Sequence, residues 1–366
     1  MFEHYLIQGE KRLRLGFTTG TAATLALKAA LLELTTGEIT QSVAITTPKG
    51  LEVTLEPEKL FSPDSISYGV RKDGGGDIDA TDGALIVATI WARAEGITIE
   101  GGVGVGRVTK PGLGLDIGSA AINPVPRQMM RDLAADMLET GGVYIEISVP
   151  DGEKLAKKTF NPELGIVGGI SIIGTTGIVE PRSNQALIET IRLDLSVRKE
   201  EGYHQLILTP GNLGEAYAKG LPATKLPIIS YSNFLGETLD KVTELAFEEV
   251  FIVGHIGKLS KVAAGIMNTH SRQADGRREV FCAHSAIAGV SPDILKQVMA
   301  AATTDAMIEF ISQSGRLDEV LQQILLAAQR HMERRLPRTK LHLLSFYSGG
   351  MVASQDFLKH WRKYGS

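Results

Sequence analysis

Gln205-Leu206-Ile207-Leu208-Thr209-Pro210-Gly211-Asn212-Leu213-Gly214 is the stretch on which the fold of the second half turns. An apolar run this short, closed by Thr-Pro-Gly, predicts a strand over 205–208, then a glycine-rich turn and a helix. The same unit recurs downstream. Residues 226–231 read as a strand before a helix over 235–247, and 250–253 as a strand before a helix over 258–267. A long helical stretch spans 293–335, a last strand 340–346, and a helix follows Ser354. Strand–turn–helix units of this size imply a parallel sheet with helices on its faces. Such sheets hold ligands at the carboxyl ends of their strands.

Upstream of that sheet the composition turns to charge at Arg198-Lys199-Glu200-Glu201, which predicts a boundary between domains of 1–196 and 197–366. The first domain reads as α+β. Leu25, Ala29 and Leu32 recur at helix spacing over 20–34; Thr18 or Thr19 can cap that helix and Gly37 stop it. Residues 43–47 and 51–55 alternate around Pro48-Lys49-Gly50 as a hairpin. Strands are expected at 65–70, 84–91, 97–100 and 143–149, with a helix from Asn123-Pro124 toward Gly141. These strands do not alternate regularly with helices, which favours α+β over a doubly wound sheet.

The length of 366 residues suits about two cores. A net charge of −4 offers no general basic field, so nucleic acid is not an expected partner. The one cysteine, Cys282, excludes a disulfide framework and a paired-cysteine metal or redox site, and fits a reducing compartment. Glu3, Glu10, Lys11, Arg12 and Arg14 leave no apolar run for a signal peptide. The longest apolar stretch, 84–92, is far short of a bilayer span. The expected setting is the cytoplasm, with no membrane partner.

Five segments could carry chemistry. Thr18-Thr19-Gly20-Thr21 precedes a helix, where free amides suit a carboxylate or phosphate; a plain helix cap is the other reading. In Arg71-Lys72-Asp73-Gly74-Gly75-Gly76-Asp77-Ile78-Asp79, the glycines would let backbone approach a ligand, or make an ordinary acidic turn. A calcium loop is rejected, because Ile78 stands where that loop needs glycine. Residues 101–106 are glycine-rich and precede Arg107 and Lys110; they form either an anion loop or a flexible hairpin, and they match neither the Walker nor the dinucleotide fingerprint. Thr209-Pro210-Gly211-Asn212-Leu213-Gly214 follows a strand and opens a helix, where nucleotides bind in such sheets. Gly254-His255-Ile256-Gly257-Lys258 ends the third strand of the second domain and puts a histidine at a strand's carboxyl end. His255, His270 and His284 are spaced by 15 and 14 residues, which matches no compact zinc pattern. Basic residues also sit beside glycines or in turns (Arg71, Lys72, Arg107, Arg182, Lys261 and Arg277 among them), which suits a ligand with several carboxylates or plain solvated surface.

Several motifs occur in a fixed order: Phe17-Thr18-Thr19-Gly20-Thr21, Val70-Arg71-Lys72-Asp73-Gly74-Gly75, Gly104-Val105-Gly106-Arg107-Val108-Thr109-Lys110-Pro111-Gly112, and Ala121-Ile122-Asn123-Pro124-Val125-Pro126-Arg127. Gly174-Thr175-Thr176-Gly177-Ile178-Val179-Glu180-Pro181, Gly211-Asn212, Ser232-Asn233, Gly254-His255-Ile256-Gly257-Lys258 and Asn268-Thr269-His270-Ser271 follow them. Together they resemble the cobalt-precorrin-5B C(1)-methyltransferase family of anaerobic cobalamin synthesis, the CbiD family, over nearly the whole chain. The resemblance implies an α+β first domain related to a permuted ribosomal S5 domain 2-like fold, then an α/β domain with a four-stranded parallel sheet. It implies S-adenosylmethionine as methyl donor, a cobalt-bearing polycarboxylate macrocycle as acceptor, and cobalt-precorrin-6A as product. Cobalt arrives with the substrate, so no protein metal site is expected. On this reading the cofactor lies near Gly211, Asn212, Gly214, Ser232 and Asn233 in the second domain. The macrocycle is held by Thr18, Thr19, Arg71, Lys72, Asp73, Arg107, Lys110 and Lys258, and His255 is the polar group at the reaction centre. Two departures stand out: Ala22 where family members often carry cysteine, and Gly76-Asp77-Ile78-Asp79 where they often show Asp-Asp-Pro-Asp. A phosphotransferase using the loop 101–106 and a non-catalytic tetrapyrrole carrier are the rival classes.

Overall fold

The computed structural model describes all residues except 1, 9, 10, 77, 78, 160, 163, 182, 183 and 366, so Asp77, Ile78, Glu10 and Arg182 lie outside the described residues. Two compact units divide between Asn184 and Gln185. The division precedes the charge run at 198–201 because that run closes a helix, Asn184–Glu200, that belongs mainly to the second unit. Ile188, Ile191 and Leu195 recur on one face of this helix and pack into the second unit's core.

The first unit is an α+β layer pair. Its sheet runs in the order Glu58–Leu60, Ile66–Arg71, Leu85–Arg93, Gly142–Ser148, Gly96–Gly101. All neighbours are antiparallel except the last pair, Gly142–Ser148 with Gly96–Gly101. A parallel pair needs a crossover, and the chain between those two strands contains the helix Pro124–Met137. The helix Thr19–Thr36 packs on the strands Ile66–Arg71 and Leu85–Arg93 and on that second helix. Ala22, Ala23, Ala26, Ala29 and Ala30 are fully buried along it, and their small side chains permit the close approach. Thr18 caps it by accepting from the Thr21 amide, and Gly37 ends it in the left-handed region at φ 76°. The hairpin Val43–Thr46 with Glu52–Leu55 is present as expected.

The second unit has a five-stranded sheet in the order Ile228–Ser230, Gln205–Thr209, Glu249–His255, Lys340–Tyr347, Gly350–Ala353. The first four strands are mutually parallel, and the fifth returns antiparallel on the edge. The expected four-stranded parallel sheet therefore gains one strand, made from a half-exposed segment directly after a turn. The region expected as one helical stretch over 293–335 is three helices, Pro292–Ala300, Thr304–Ser312 and Leu317–Glu333. Thr303 caps the second by accepting from the Ala306 amide, and Gly315 takes φ 68° ahead of the third. A further helix, Arg277–Ile287, precedes them.

Candidate active site

The ends of the parallel strands open onto a cleft of about 500 Å³ in the second unit. Pro210 and Gly214 reach it from the first strand–helix turn, Asn233 from the second, and His255 and Lys258 from the third. Thr269, His270, Arg277 and Thr303 to Asp305 close the other side. Three separate turns that sequence motifs had singled out thus meet at one place, where this class of sheet binds ligands.

The helix Asn212–Gly220 begins beside this cleft with no side-chain cap. Its N-cap, Gly211, has φ 108°, and a side chain there would meet only open space. Among the described residues, the Asn212, Leu213 and Gly214 amides find no protein acceptor, whereas the Glu215 amide reaches the Gly211 carbonyl. Gly214 has a different reason for being glycine: a Cβ would press on Pro210 and on the Val253 carbonyl, at 2.8 and 3.0 Å.

Lys258 is placed by its helix so that its ammonium ties the turns together. It donates to Asn233 Oδ1 at 2.7 Å, the Ser232 carbonyl at 3.1 Å and the Pro210 carbonyl at 3.2 Å. Three acceptors use all three of its N–H bonds. Burial, then the neighbouring Lys261 charge, hold its pKa below the ordinary lysine range. Ser232 adopts φ 55°, a conformation unusual for a non-glycine residue, at the bend from which its carbonyl meets Lys258.

His255 caps the helix Ile256–Ala263: its Nδ1 accepts from the Gly257 amide at 3.1 Å. A neutral imidazole that accepts at Nδ1 carries its proton on Nε2. The ring packs edge-on against Phe346, centroids 5.4 Å apart. His270 lines the same cleft, but His284 does not, so the three histidines do not assemble.

Sequence reasoning named Lys261 only among the basic residues that suit a polycarboxylate and gave it no place in the site, although it lines the cleft. It is 3% exposed and donates to the Thr269 and Ala274 carbonyls at 3.2 and 3.1 Å. Burial holds its pKa down, opposed by the Asp275 carboxylate and assisted by Arg277. The available signal was its spacing, because residues three apart on a helix share a face and Lys258 was already singled out.

The first-unit residues are held largely by their own neighbours. Thr18 is the helix cap, and Thr19 Oγ1 accepts from the Ile173 amide at 2.8 Å. Asp73 is bound bidentately by Arg14, one contact being 2.7 Å, and accepts from the Gly75 amide at 2.8 Å. Burial raises the Asp73 pKa, but Arg14 and the Gly75 amide outweigh it and leave it low. Lys72 is buried and paired with Asp79. Arg71 pairs with Glu58 at 2.8 Å and Arg107 with Glu100 at 2.8 Å, both near the surface. Lys110 lies with its stem beside Gly165.

The glycine motifs of this unit are crossing points of backbone. A Cβ at Gly75, φ 69°, would fall 2.5 Å from the Arg14 carbonyl oxygen, and the Gly76 amide donates to that same carbonyl at 2.8 Å. The Phe17 amide donates to the Asp73 carbonyl at 2.9 Å, and the Thr18 amide to the Gly177 carbonyl at 3.0 Å. Three motifs far apart in sequence are therefore one knot around the start of the helix Thr19–Thr36. The loop 101–106 is likewise committed. Its Gly102, Val105 and Gly106 amides donate to the carbonyls of Ile147, Gly102 and Ile170, and a Cβ at Gly104 would fall on the Val149 carbonyl. Those three amides are not available to a phosphate, which removes the observation behind the phosphotransferase reading.

At the opposite end of the second sheet, Glu249, His342 and His360 stand close enough for one ion, but Lys340 and Lys363 approach His360 Nδ1 to 3.2 and 3.0 Å.

Comparison with known proteins agrees with the family resemblance. Residues 6–181 match the CbiD family and residues 268–354 the CbiD C-terminal domain. A protein of Thermoanaerobacter sp. named cobalt-precorrin-5B C(1)-methyltransferase is 48% identical over 316 residues, 86% of each chain. The chain belongs to the CbiD family. Other members with that name come from Ruminiclostridium cellulolyticum, 43% identical over 91% of this chain and 88% of that one, and from Listeria monocytogenes, 38% identical over 98% and 100%. The crystal structure of the cobalamin biosynthesis protein CbiD from Archaeoglobus fulgidus is 30% identical, covering 74% of this chain and 86% of that chain, with a TM-score of 0.40. No helix among the described residues of this CbiD chain is long and apolar enough to cross a membrane.

Proposed function

We propose that this CbiD-family chain transfers a methyl group from S-adenosylmethionine to C-1 of cobalt-precorrin-5B, giving cobalt-precorrin-6A. The observation that carries the reading is the match, at 38–48% identity and over most of both chains, to proteins named for that reaction. Gly214 and Asn233 line the cleft of the second unit, which supports its use as the cofactor site, and Gly211, Asn212 and Ser232 stand on the same two turns without lining it. The open amides at 212–214 suit a polar group of the cofactor.

S-adenosylmethionine supplies an activated methyl group, and the acceptor ring carbon supplies the electron pair. The S–C bond breaks as the C–C bond forms, leaving S-adenosylhomocysteine. The work left to the protein is alignment, which can supply roughly 7–11 kcal/mol in favourable models. Lys258 serves it by fixing the turns at Pro210 and Ser232-Asn233 to one ammonium. His255, its Nδ1 engaged by the Gly257 amide, presents an Nε2–H as a fixed donor. The first unit is proposed to contribute to the macrocycle, with Arg71 and Arg107 as its exposed cations. Its two-layer sheet and helices are consistent with the permuted ribosomal S5 domain 2-like fold. A single half-buried cysteine suits the cytoplasm.

The test is anaerobic incubation with S-adenosylmethionine and enzymatically prepared cobalt-precorrin-5B, the macrocycle being read by mass spectrometry. A gain of one methyl group that requires the protein is the expected result. Intact substrate with folded protein sinks the catalytic reading and leaves that of a tetrapyrrole carrier.

A further inference from the structure

We infer that Lys261 and Lys258 form a carboxylate-binding site in the floor of the second-unit cleft, with Lys261 as its contacting group. The inference takes the chemical identity of the ligand from the proposed reaction, but its physical basis is separate. Lys261 is 97% removed from solvent, being 3% exposed, and lines the cavity. An ammonium in such a place is normally paired with a carboxylate, because burying an uncompensated charge is costly. Among the described residues, neither lysine has a carboxylate within ion-pair distance. Their partners are carbonyl and amide oxygens only.

The donor count separates the two lysines. Lys258 spends its three N–H bonds on three protein acceptors. Lys261 spends two, on Thr269 and Ala274, which leaves one N–H for a ligand. The Asp275 charge acts on Lys261 without pairing with it, because that carboxylate is already engaged. Asp275 is engaged by Arg277 through two contacts, at 2.6 and 2.8 Å, and Asp305 accepts from Ser348 Oγ at 3.2 Å. Burial lowers both lysine pKa values, and for Lys261 the Asp275 charge offsets it only in part. An anion entering the cleft would offset that penalty and gain affinity from it.

A carboxylate can come from two sources: the methionine end of the cofactor, or an acid side chain of the macrocycle. S-adenosylhomocysteine carries the first and 5′-methylthioadenosine lacks it. If the cofactor is the source, the wild type binds S-adenosylhomocysteine more tightly than 5′-methylthioadenosine. Lys261→Met, which keeps the apolar stem, then weakens S-adenosylhomocysteine roughly 10- to 100-fold and leaves 5′-methylthioadenosine unchanged. If the macrocycle is the source, both nucleosides bind the variant as they bind wild type, and cobalt-precorrin-5B weakens by a comparable factor. Loss of neither in a folded variant overturns the inference. Should Lys261→Met fail to fold, the wild type carries the test: sulfate at constant ionic strength must weaken S-adenosylhomocysteine or the macrocycle without weakening 5′-methylthioadenosine. No such competition overturns it equally. A wild type that binds no S-adenosylhomocysteine at all refutes the cofactor placement, and the lysine site is then judged on the macrocycle alone.

Discussion

Lys258→Met removes an ammonium and keeps most of the side-chain volume. Three acceptors on two turns then lose their donor: Asn233 Oδ1 at 2.7 Å, the Ser232 carbonyl at 3.1 Å and the Pro210 carbonyl at 3.2 Å. Hydrogen bonds to a charged group contribute about 1.5–3 kcal/mol each. The sum is not the net effect, because removing a half-buried ammonium also recovers part of its desolvation cost and relieves repulsion from Lys261. A net loss of about 2–4 kcal/mol remains, because the three oxygens stay in a partly dry site. For a unit of this size each kcal/mol moves Tm by about 2–4 °C, so a fall of about 4–16 °C is expected. Hydrogen exchange adds a spatial readout: amides of 211–214 and 232–234 should exchange faster, and those of the first unit should not change. An unchanged Tm and exchange pattern, with only a raised KM for the macrocycle, would refute the reasoning. Lys258 would then be a substrate contact rather than a tie between the turns.

Three further outcomes follow from other parts of the molecule. Gly104→Ala should cost at least about 2 kcal/mol in thermal denaturation, because φ is 73° and the new methyl falls on the Val149 carbonyl; wild-type stability would mean that this crossing yields freely. Tyr231→Phe should stabilise by about 1–2 kcal/mol, because the hydroxyl is fully buried without a partner among the described residues; a loss of stability in urea denaturation would reveal a bond to that oxygen. Acid should weaken the second unit in two stages. His342 stacks on Phe251 and faces Glu249 at 2.6 Å, with His360, Lys340 and Tyr364 around the pair. Burial outweighs the pull of Glu249 and holds the His342 pKa below 6.5, so the unfolded chain takes the proton first and stability falls as pH drops through that value. Burial raises the Glu249 pKa, but hydrogen bonds from Tyr364 and His342 leave it below 4.5, so its contribution is lost only in stronger acid. The urea midpoint should drop between pH of about 7.5 and about 5.5, and His342→Gln should flatten that drop; an equal drop in the variant would assign it elsewhere.

The parallel strands were legible because each is a short apolar run followed by a turn and a helix, and both faces of the sheet demand that pattern. The strand Gly350–Ala353 was not, since an edge strand of four partly exposed residues carries little alternation. Residues 198–201 illustrate a different failure. Their charge suggested a domain boundary, yet Arg198, Lys199 and Glu200 form the last turn of Asn184–Glu200 and Glu201 follows it directly; Arg198 pairs with Asp194 at 3.2 Å and Glu201 at 3.0 Å. A solvated helix end and a linker have the same composition. The stretch 293–335 failed for the opposite reason. Each of its three helices is amphipathic, so the periodicity reads as continuous while Thr303 and Gly315 break it.

Glycine motifs pose the harder problem, because one residue type serves two purposes that composition cannot separate. At 75 and 104 the missing Cβ admits another stretch of the same chain, and the amides at Gly102, Val105 and Gly106 are consumed by protein carbonyls. At 211 the missing Cβ faces open space, and the amides of 212–214 find no acceptor among the described residues. The second arrangement leaves donors for a ligand, whereas in the first they are spent within the protein. The cations divide in the same way. Lys72, Arg71 and Arg107 each have a carboxylate of their own, whereas among the described residues Lys258 and Lys261 pair with none, and Lys261 only shares the field of Asp275. An anionic substrate gains most where the protein has left charge uncompensated and backbone unpaired, and both conditions coincide at the ends of the parallel strands.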